Sequence, residues 1–320
     1  MIDIFIYDGT TIKKGKLKDL PGFKTNRHWI DLINPTKEEV DKLAEAYELH
    51  PLTAEDLLNV NTRVKIEDFP NYLVCVFYGI TKNAGVELVE VDCVIGENFV
   101  ISNHKDVLPS FEELKSVPDK LDHVMKKGTD FLFHRLLDHE IDNFFPVLQS
   151  IDDEIEPIEN EALSNPRPEL MRKILNLKRS LSQVKKITVP QREKIGNLAK
   201  EEHRFISKKA MPYFHDVYDH AIRIADTLDA NREAVANTFE MYMSAVSNNT
   251  NDVMKMLSMI ATIALPLTVI SGIYGTNFQE LPGQEFPHSF WIMVSIMFLL
   301  SITMLYYFKK KGWIFSGRRA

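Results

Sequence analysis

The sequence predicts an α+β chain: a layered N-terminal α/β domain, then a long helical stalk, then two membrane-spanning helices at the C-terminal end. Three observations carry this. β-branched and aromatic runs alternate with helical stretches through residues 1–128. From Asp130 the strand signal stops, and apolar residues recur at helical spacing. Two uncharged apolar runs, 256–274 and 290–308, each reach the ~20 residues needed to cross a hydrocarbon core.

Taken in order, residues 2–7, 28–33, 72–80, 88–95 and 99–102 read as strands. Val74-Cys75-Val76-Phe77 is continuously apolar, as in a central strand covered on both faces. Thr36 with Glu39 forms a capping box that opens a helix to Tyr47. Thr53 is placed to cap a short helix carrying Glu55, Asp56, Leu57 and Leu58. Residues 129–250 then form a helical hairpin and stalk. Phe131, Leu132, Leu136, Leu137, Ile141, Phe144, Leu148, Ile151 and Ile155 mark the first helix, with Pro146 and Pro157 as interruptions. A turn falls at Ser164-Asn165-Pro166-Arg167-Pro168. Leu170, Ile174, Leu177, Leu181 and Val184 share one face of the next helix, which Pro190 is expected to kink or end. After a break at Met211-Pro212, residues 215–265 read as one helix, ~75 Å long at 1.5 Å per residue.

Charge excludes some functions and orients the chain. With 26% charged and 45% hydrophobic residues, everything before Lys255 reads as soluble. The net charge of −7, without a dominant basic field, argues against a nucleic-acid partner. Cys75 and Cys93, in strand-like runs without metal-ligand spacing, read as reduced, buried thiols. The N-terminus lacks the basic segment, apolar core and cleavage site of a signal peptide. Neither a Gly-x-x-x-x-Gly-Lys-Ser/Thr loop nor a hydrolase pattern is found, so no enzymatic activity is expected. Lys309, Lys310 and Lys311 hold the tail (309–320, with Arg318 and Arg319) on the cytosolic side. Two spans then place the N-terminal domain in the cytosol too. The loop between them contains Glu280 and Glu285 and no Lys or Arg, and belongs outside.

The two spans differ. The second, 290–308, is almost wholly apolar and suits a lipid-facing position. The first, assigned to 251–275, places Asn251, Ser258, Thr262, Leu265, Thr268 and Gly272 within one third of the helix circumference, at ~100° per residue. Such a stripe needs a partner in lipid. A pore wall built from several copies and a packing seam of small residues both fit it.

The motif that follows is more specific. Tyr274-Gly275-Thr276-Asn277-Phe278 stands at the end of the first span, opening the external segment 276–289. It resembles the Tyr-Gly-Met-Asn-Phe of the CorA divalent-cation transporter family, which is followed there by a short external loop, a second span and a lysine-rich tail. The likeness extends to Pro212-Tyr213-Phe214-His215-Asp216-Val217-Tyr218-Asp219-His220, to Ser247-Asn248-Asn249-Thr250-Asn251, to Pro266-Leu267-Thr268, and to His50-Pro51-Leu52 with Glu55-Asp56-Leu57-Leu58-Asn59-Val60. Thr276 departs from the family's Met, and the zinc-transporting branch carries Ile there.

The resemblance implies a homopentameric funnel in the cell's inner membrane, in contact with lipid, with both termini cytosolic. It implies uptake of Mg2+, Co2+ and Ni2+. Gly275, Thr276 and Asn277 fall on its selectivity filter. Asn277 is the main group, because Mg2+ sheds water reluctantly and suits amide oxygens that bind through its hydration shell. Gly275 is expected to permit the turn that ends the helix. Pore-lining positions are Asn251, Met254, Leu257, Ser258, Leu265, Thr268 and Gly272, with Met254 and Leu257 as an apolar gate. Glu240 falls at the cytosolic mouth. Regulatory Mg2+ between subunits falls to Asp56 and Asp216, with Glu55 nearby. The acidic run from Asp152 to Glu161 resembles the tip of the family's helical hairpin. A Zn2+ transporter on the same scaffold, and a membrane-anchored scaffold without flux, are the competing readings.

Overall fold

The computed structural model describes residues 1–59, 63–82, 85–277, 281–283 and 286–314. Val60, Phe278, Glu280, Glu285, Arg318 and Arg319 lie outside the described residues. The chain divides into two compact units, Met1–Glu240 and Met241–Ala320.

The first unit opens with β1 (Ile2–Tyr7), β2 (Ile12–Lys14), α1 (Leu20–Phe23), β3 (Arg27–Ile33), α2 (Lys37–Tyr47) and α3 (Pro51–Asp56). The sheet continues through β4 (Lys65–Asp68), β5 (Leu73–Lys82), β6 (Val86–Ile95) and β7 (Phe99–His104). Helices follow: α4 (Pro109–Ser116), α5 (Pro118–Lys127), α6 (Thr129–Asp142), α7 (Phe144–Ser164) and α8 (Pro168–Lys200). Then come α9 (Met211–Tyr274), which runs through both units, and α10 (Ser289–Lys310) in the second.

The seven strands form one sheet in the order β2-β1-β3-β7-β6-β5-β4. Only β3 and β7 run parallel. Alternation along β5 explains why it reads as continuously apolar. Val74 and Val76 join Val40, Leu43, Tyr47 and Leu57 in the core beneath α1, α2 and α3. Phe77 faces the other way, 6.5 Å from Phe133 of α6. Cys75 and Cys93 are register partners on β5 and β6, free and buried.

The capping box at Thr36 forms as expected: its side chain accepts from the Glu39 N–H, and the Glu39 carboxylate accepts from the Thr36 N–H. Thr53 does not cap α3. His50 does, its Nδ1 accepting from the Leu52 N–H, while Thr53 is buried inside the helix 3.1 Å from the Tyr72 hydroxyl. Pro190 does not end α8, which continues to Lys200. The next residue supplies a reason. Gln191 accepts from the Tyr78 N–H at 2.8 Å and donates to the Tyr78 carbonyl at 3.0 Å. β4 pairs with β5 only as far as Val76, so Gln191 covers the strand edge beyond it.

A charged network lies buried between the sheet and α4. Asp31 on β3 is wholly buried; it accepts from the Ser102 hydroxyl, lies 3.1 Å from His104 Nε2 and 2.7 Å from Lys115 Nζ. Lys115 also reaches Asp3 at 3.0 Å and Glu112 at 2.7 Å. Burial alone would raise the Asp31 carboxyl; His104 and Lys115 outweigh it and hold the group below its ordinary range. Close by, a Cβ on Gly79 would sit 1.9 Å from Oε2 of the fully buried Glu140, so glycine is needed where α6 approaches β5.

Candidate functional site

The C-terminal half of α9 and all of α10 leave their apolar side chains outside any core. Leu265 is 66% exposed in the single chain and Phe298 69%. Their most apolar windows have no buried share, unlike a core helix. The fold therefore keeps both predicted spans as helices and gives their apolar surface nothing of its own to pack on.

Coverage on α9 is one-sided. Met259, Ile263, Pro266, Leu267 and Ile270 lose part of their exposure. At ~100° per residue they centre roughly 140° around the helix from the stripe of Asn251, Met254, Ser258, Leu265, Thr268 and Gly272. On α10 the partly covered residues include Met293, Met297, Leu300 and Met304, again at helical spacing. Ile270 of α9 and Met293 of α10 line one cavity of about 270 Å3. All the stripe residues, with Leu257, Thr262 and Glu240, are exposed. Within the stripe the hydroxyls bond their own helix: Thr262 donates to the Ser258 carbonyl at 2.7 Å and Thr268 to the Ala264 carbonyl at 2.9 Å. Their lone pairs remain available to water or a hydrated ion.

The helix ends at the motif. The Gly275 N–H donates to the Ser271 carbonyl at 2.9 Å. Gly275 does not adopt a left-handed conformation. Its role is close approach, since a Cβ there would lie 2.9 Å from the Ser271 oxygen. Thr276 folds back, its hydroxyl donating to the Ile273 carbonyl at 2.7 Å. The Tyr274 hydroxyl donates to the Pro282 carbonyl at 3.0 Å. Asn277 is exposed, and its amide has no hydrogen bond among the described residues.

Among the described residues, the acids singled out on the first unit, Glu55, Asp56 and Asp216, do not form a three-ligand cation cluster within one chain. Glu55 is exposed. Asp56 is half-buried and paired with Lys65, whose Nζ lies 2.6 Å from its Oδ2. Asp216 is exposed on α9, between the buried Phe214 and Val217. A cluster that sequence reasoning missed lies nearby. Asp138 and Asp142 on α6 and His220 on α9 each offer a ligand atom within 4.8 Å of the others. Asp142 Oδ1 is 2.7 Å from His220 Nδ1. Burial, then the neighbouring Asp142, pushes the Asp138 carboxyl up, which a bound divalent cation would reverse. The spacing of the two aspartates was visible in the sequence; the partner from α9 was not.

Behind α3 lies another buried acid. Asp92 on β6 is 3% exposed and accepts from Asn103 Nδ2 at 2.8 Å. The same Asn103 nitrogen donates to the Leu57 carbonyl at 3.2 Å, tying the end of α3 to the sheet. Burial pushes the Asp92 carboxyl up to about 8, with Glu90 and Asp56 adding to it against the Asn103 bond. The unfolded group loses its proton near 3.8, so the folded state holds one more proton from there to about 8. Stability from this group therefore falls as pH rises through that window, by at most ~1.4 kcal/mol per pH unit. Asp92→Asn is expected to flatten the dependence and to raise the melting temperature at pH 8. Thermal unfolding across a pH series checks this; an unchanged slope would remove Asp92 as its source.

Comparison with known proteins places these features. A family model described as CorA-like Mg2+ transporter protein matches residues 26–310. The Thermotoga maritima "Cobalt/magnesium transport protein CorA" is 36% identical over 291 residues, covering 89% of this chain and 83% of that protein. The Methanocaldococcus jannaschii protein of the same description is 25% identical over 289 residues, covering 89% and 91%. The solved complete structure of the CorA magnesium transporter from Methanocaldococcus jannaschii superposes with a TM-score of 0.88 at 23% identity, covering 98% of this chain and 99% of that one.

Proposed function

The chain belongs to the CorA-like Mg2+ transporter family, and from that premise we propose that it conducts Mg2+, with Co2+ and Ni2+, into the cell through a homopentamer. The observation that carries this reading is the uncovered polar stripe of α9, followed by an exposed Asn277 whose side chain bonds nothing among the described residues. One helix encloses nothing. Copies arranged with the stripe inward and α10 outward would enclose a conduit, and lipid would cover α10.

In this arrangement Asn277 meets the ion outside through its water shell, and Gly275 and Thr276 form the backbone around it. The Thr276 hydroxyl donates to the Ile273 carbonyl and keeps its acceptor lone pairs, so Gly275-Thr276-Asn277 offers only neutral side-chain oxygens, from Thr276 and Asn277. That favours selection of a hydrated ion over a stripped one, and hence Mg2+ over Zn2+. Thr268 and Asn251 offer further oxygens, Met254 and Leu257 a dewetting constriction, and Glu240 an acidic inner mouth. The membrane potential supplies ~2.3 kcal/mol per charge per 100 mV, twice that for a divalent ion. Lys309, Lys310 and Lys311 keep both termini cytosolic, in the cell membrane.

Asp56 and Asp216 are read as a regulatory site shared between neighbouring copies. Carboxylates brought together from two chains repel until a cation bridges them, which supports this reading. Intracellular Mg2+ then holds the closed state. The double variant Asp56→Ala/Asp216→Ala is expected to keep conducting at internal Mg2+ that silences the parent protein. Dye-reported flux into liposomes of set internal Mg2+ checks it; unchanged inhibition would move the sensor elsewhere. The same liposomes test the whole reading. Mg2+ entry that grows with inside-negative potential supports it, and impermeability to every divalent ion, or Zn2+ entry exceeding Mg2+ entry, overturns it.

A further inference from the structure

The described residues include a strongly basic cavity that ion conduction does not use. It has a volume of about 690 Å3 and lies in the first unit, where the α5–α6 junction, the start of β3 and the loop between α8 and α9 meet. Arg27, Lys127, Arg204, Lys208 and Lys209 line it, against Glu97 and Asp130. This is a local excess of cations in a chain whose net charge is −7.

Four of those five cations are left without anionic partners among the described residues. Among the described residues, Arg27, Lys127, Arg204 and Lys209 have no carboxylate within ion-pairing distance. Arg27 donates instead to the carbonyls of Met125 at 3.2 Å and Lys126 at 2.7 Å, which fixes its position and leaves its charge uncompensated. Lys127 lies 5.5 Å from the Phe131 ring centre and 5.9 Å from that of Tyr213. Arg204 lies over Phe205 at 5.4 Å. Lys208 pairs only with Glu202, at 3.1 Å, with side chains 88% and 82% exposed, an arrangement worth little in water.

The acids do not neutralise the cavity. Asp130 is buried and committed to the frame: one oxygen accepts from the Phe131 N–H at 2.9 Å, the other from the Ser207 N–H at 3.0 Å. That second bond ties the α8–α9 loop to α6. Glu97 is a single exposed charge at the rim. Clustered, like-charged side chains repel one another and persist where an anion relieves the repulsion. Phosphate oxygens suit both arginine and lysine, and the volume is within the range of small-ligand sites. Phe131 and Phe205, both half-buried in the wall, add apolar faces for a flat ring.

We propose that this cavity binds a multiply phosphorylated small anion, of the nucleoside triphosphate class, bridging the α5–α6 junction to the loop that leads into α9. The five cations take the phosphates, and the aromatic walls take the base. Bound there, the ligand braces the segment from which α9 starts.

The test uses the full-length protein in detergent with EDTA, so that withdrawal of Mg2+ by the ligand causes no signal. Titration calorimetry with ATP, with tripolyphosphate and with adenosine separates the two halves of the claim. ATP is expected to bind with Kd below about 1 mM, and Lys127→Ala/Lys209→Ala to weaken it by about tenfold or more. Lys173→Ala, an exposed lysine on α8 that does not line the cavity, is expected to leave it unchanged. Tripolyphosphate weaker than ATP by about tenfold supports the aromatic contribution; equal binding overturns the nucleoside assignment. Absence of heat with both phosphates at millimolar concentration, or equal ATP affinity in the double variant, overturns the site.

Discussion

Asn277→Ala is expected to abolish divalent-cation flux while leaving the assembled protein intact. The side chain is exposed and bonds nothing among the described residues, so its removal takes no contact from the fold. What it removes is the amide oxygen offered to the ion. In the proposed pentamer each amide-to-hydrated-ion bond contributes ~1 kcal/mol, every copy loses one, and flux is expected to fall by on the order of 10^3-fold. Asn277→Gln keeps the oxygen but displaces it, and is expected to retain a small part of the flux. Mg2+ entry into liposomes gives the measure, with size-exclusion chromatography reporting assembly. Parental flux from the alanine variant would take Asn277 out of the filter.

Asp31→Ala is expected to be the most damaging single change to the soluble unit. It leaves Lys115, with 6% of its side chain exposed, and His104, with none, facing a void where a carboxylate stood. Breaking one partner out of a buried charged network costs ~3–5 kcal/mol, a large share of a domain's total stability. The same carboxylate gives the parent protein an acid limit. Its folded-state pKa is held below 3.8, so its stabilisation is present above that value and is lost as pH falls through the folded pKa. Denaturant unfolding of parent and variant at neutral pH measures the loss. A difference under ~1 kcal/mol would mean that the network relaxes freely around the missing group.

Asp92 and Asp56 respond to different surroundings. Asp92 is neutral in the fold up to about 8, yet it lies in the same polar region as Asp56, which is paired with Lys65. One acid therefore serves packing through Asn103, and the other forms an ion pair.

Local signals were legible without the fold. The Thr36 capping box needs only residues three apart, and it formed. The turn at 164–168 and the break before Pro212 follow from proline's missing N–H and fixed φ, and both are present. Pro190 shows the limit of that rule, because Gln191 reaches a strand edge on β5, more than 100 residues earlier, and α8 continues. The strands β2 and β4, three and four residues long, escaped notice: each is too short for a period-2 pattern and is held by its neighbour's register.

The sequence by itself determined the two membrane spans, the continuous helix leading into the first, and the Gly275-Thr276-Asn277 motif that ends it. Each depends on a run of neighbouring residues matched to hydrocarbon thickness or to helical period. Only the tertiary structure decided that His220 joins Asp138 and Asp142, that Asp31 holds Lys115 and His104, and that basic side chains from three distant segments surround one cavity. Those meetings depend on where the chain returns in space. Burial and charge are set by neighbours in space, which no local pattern records.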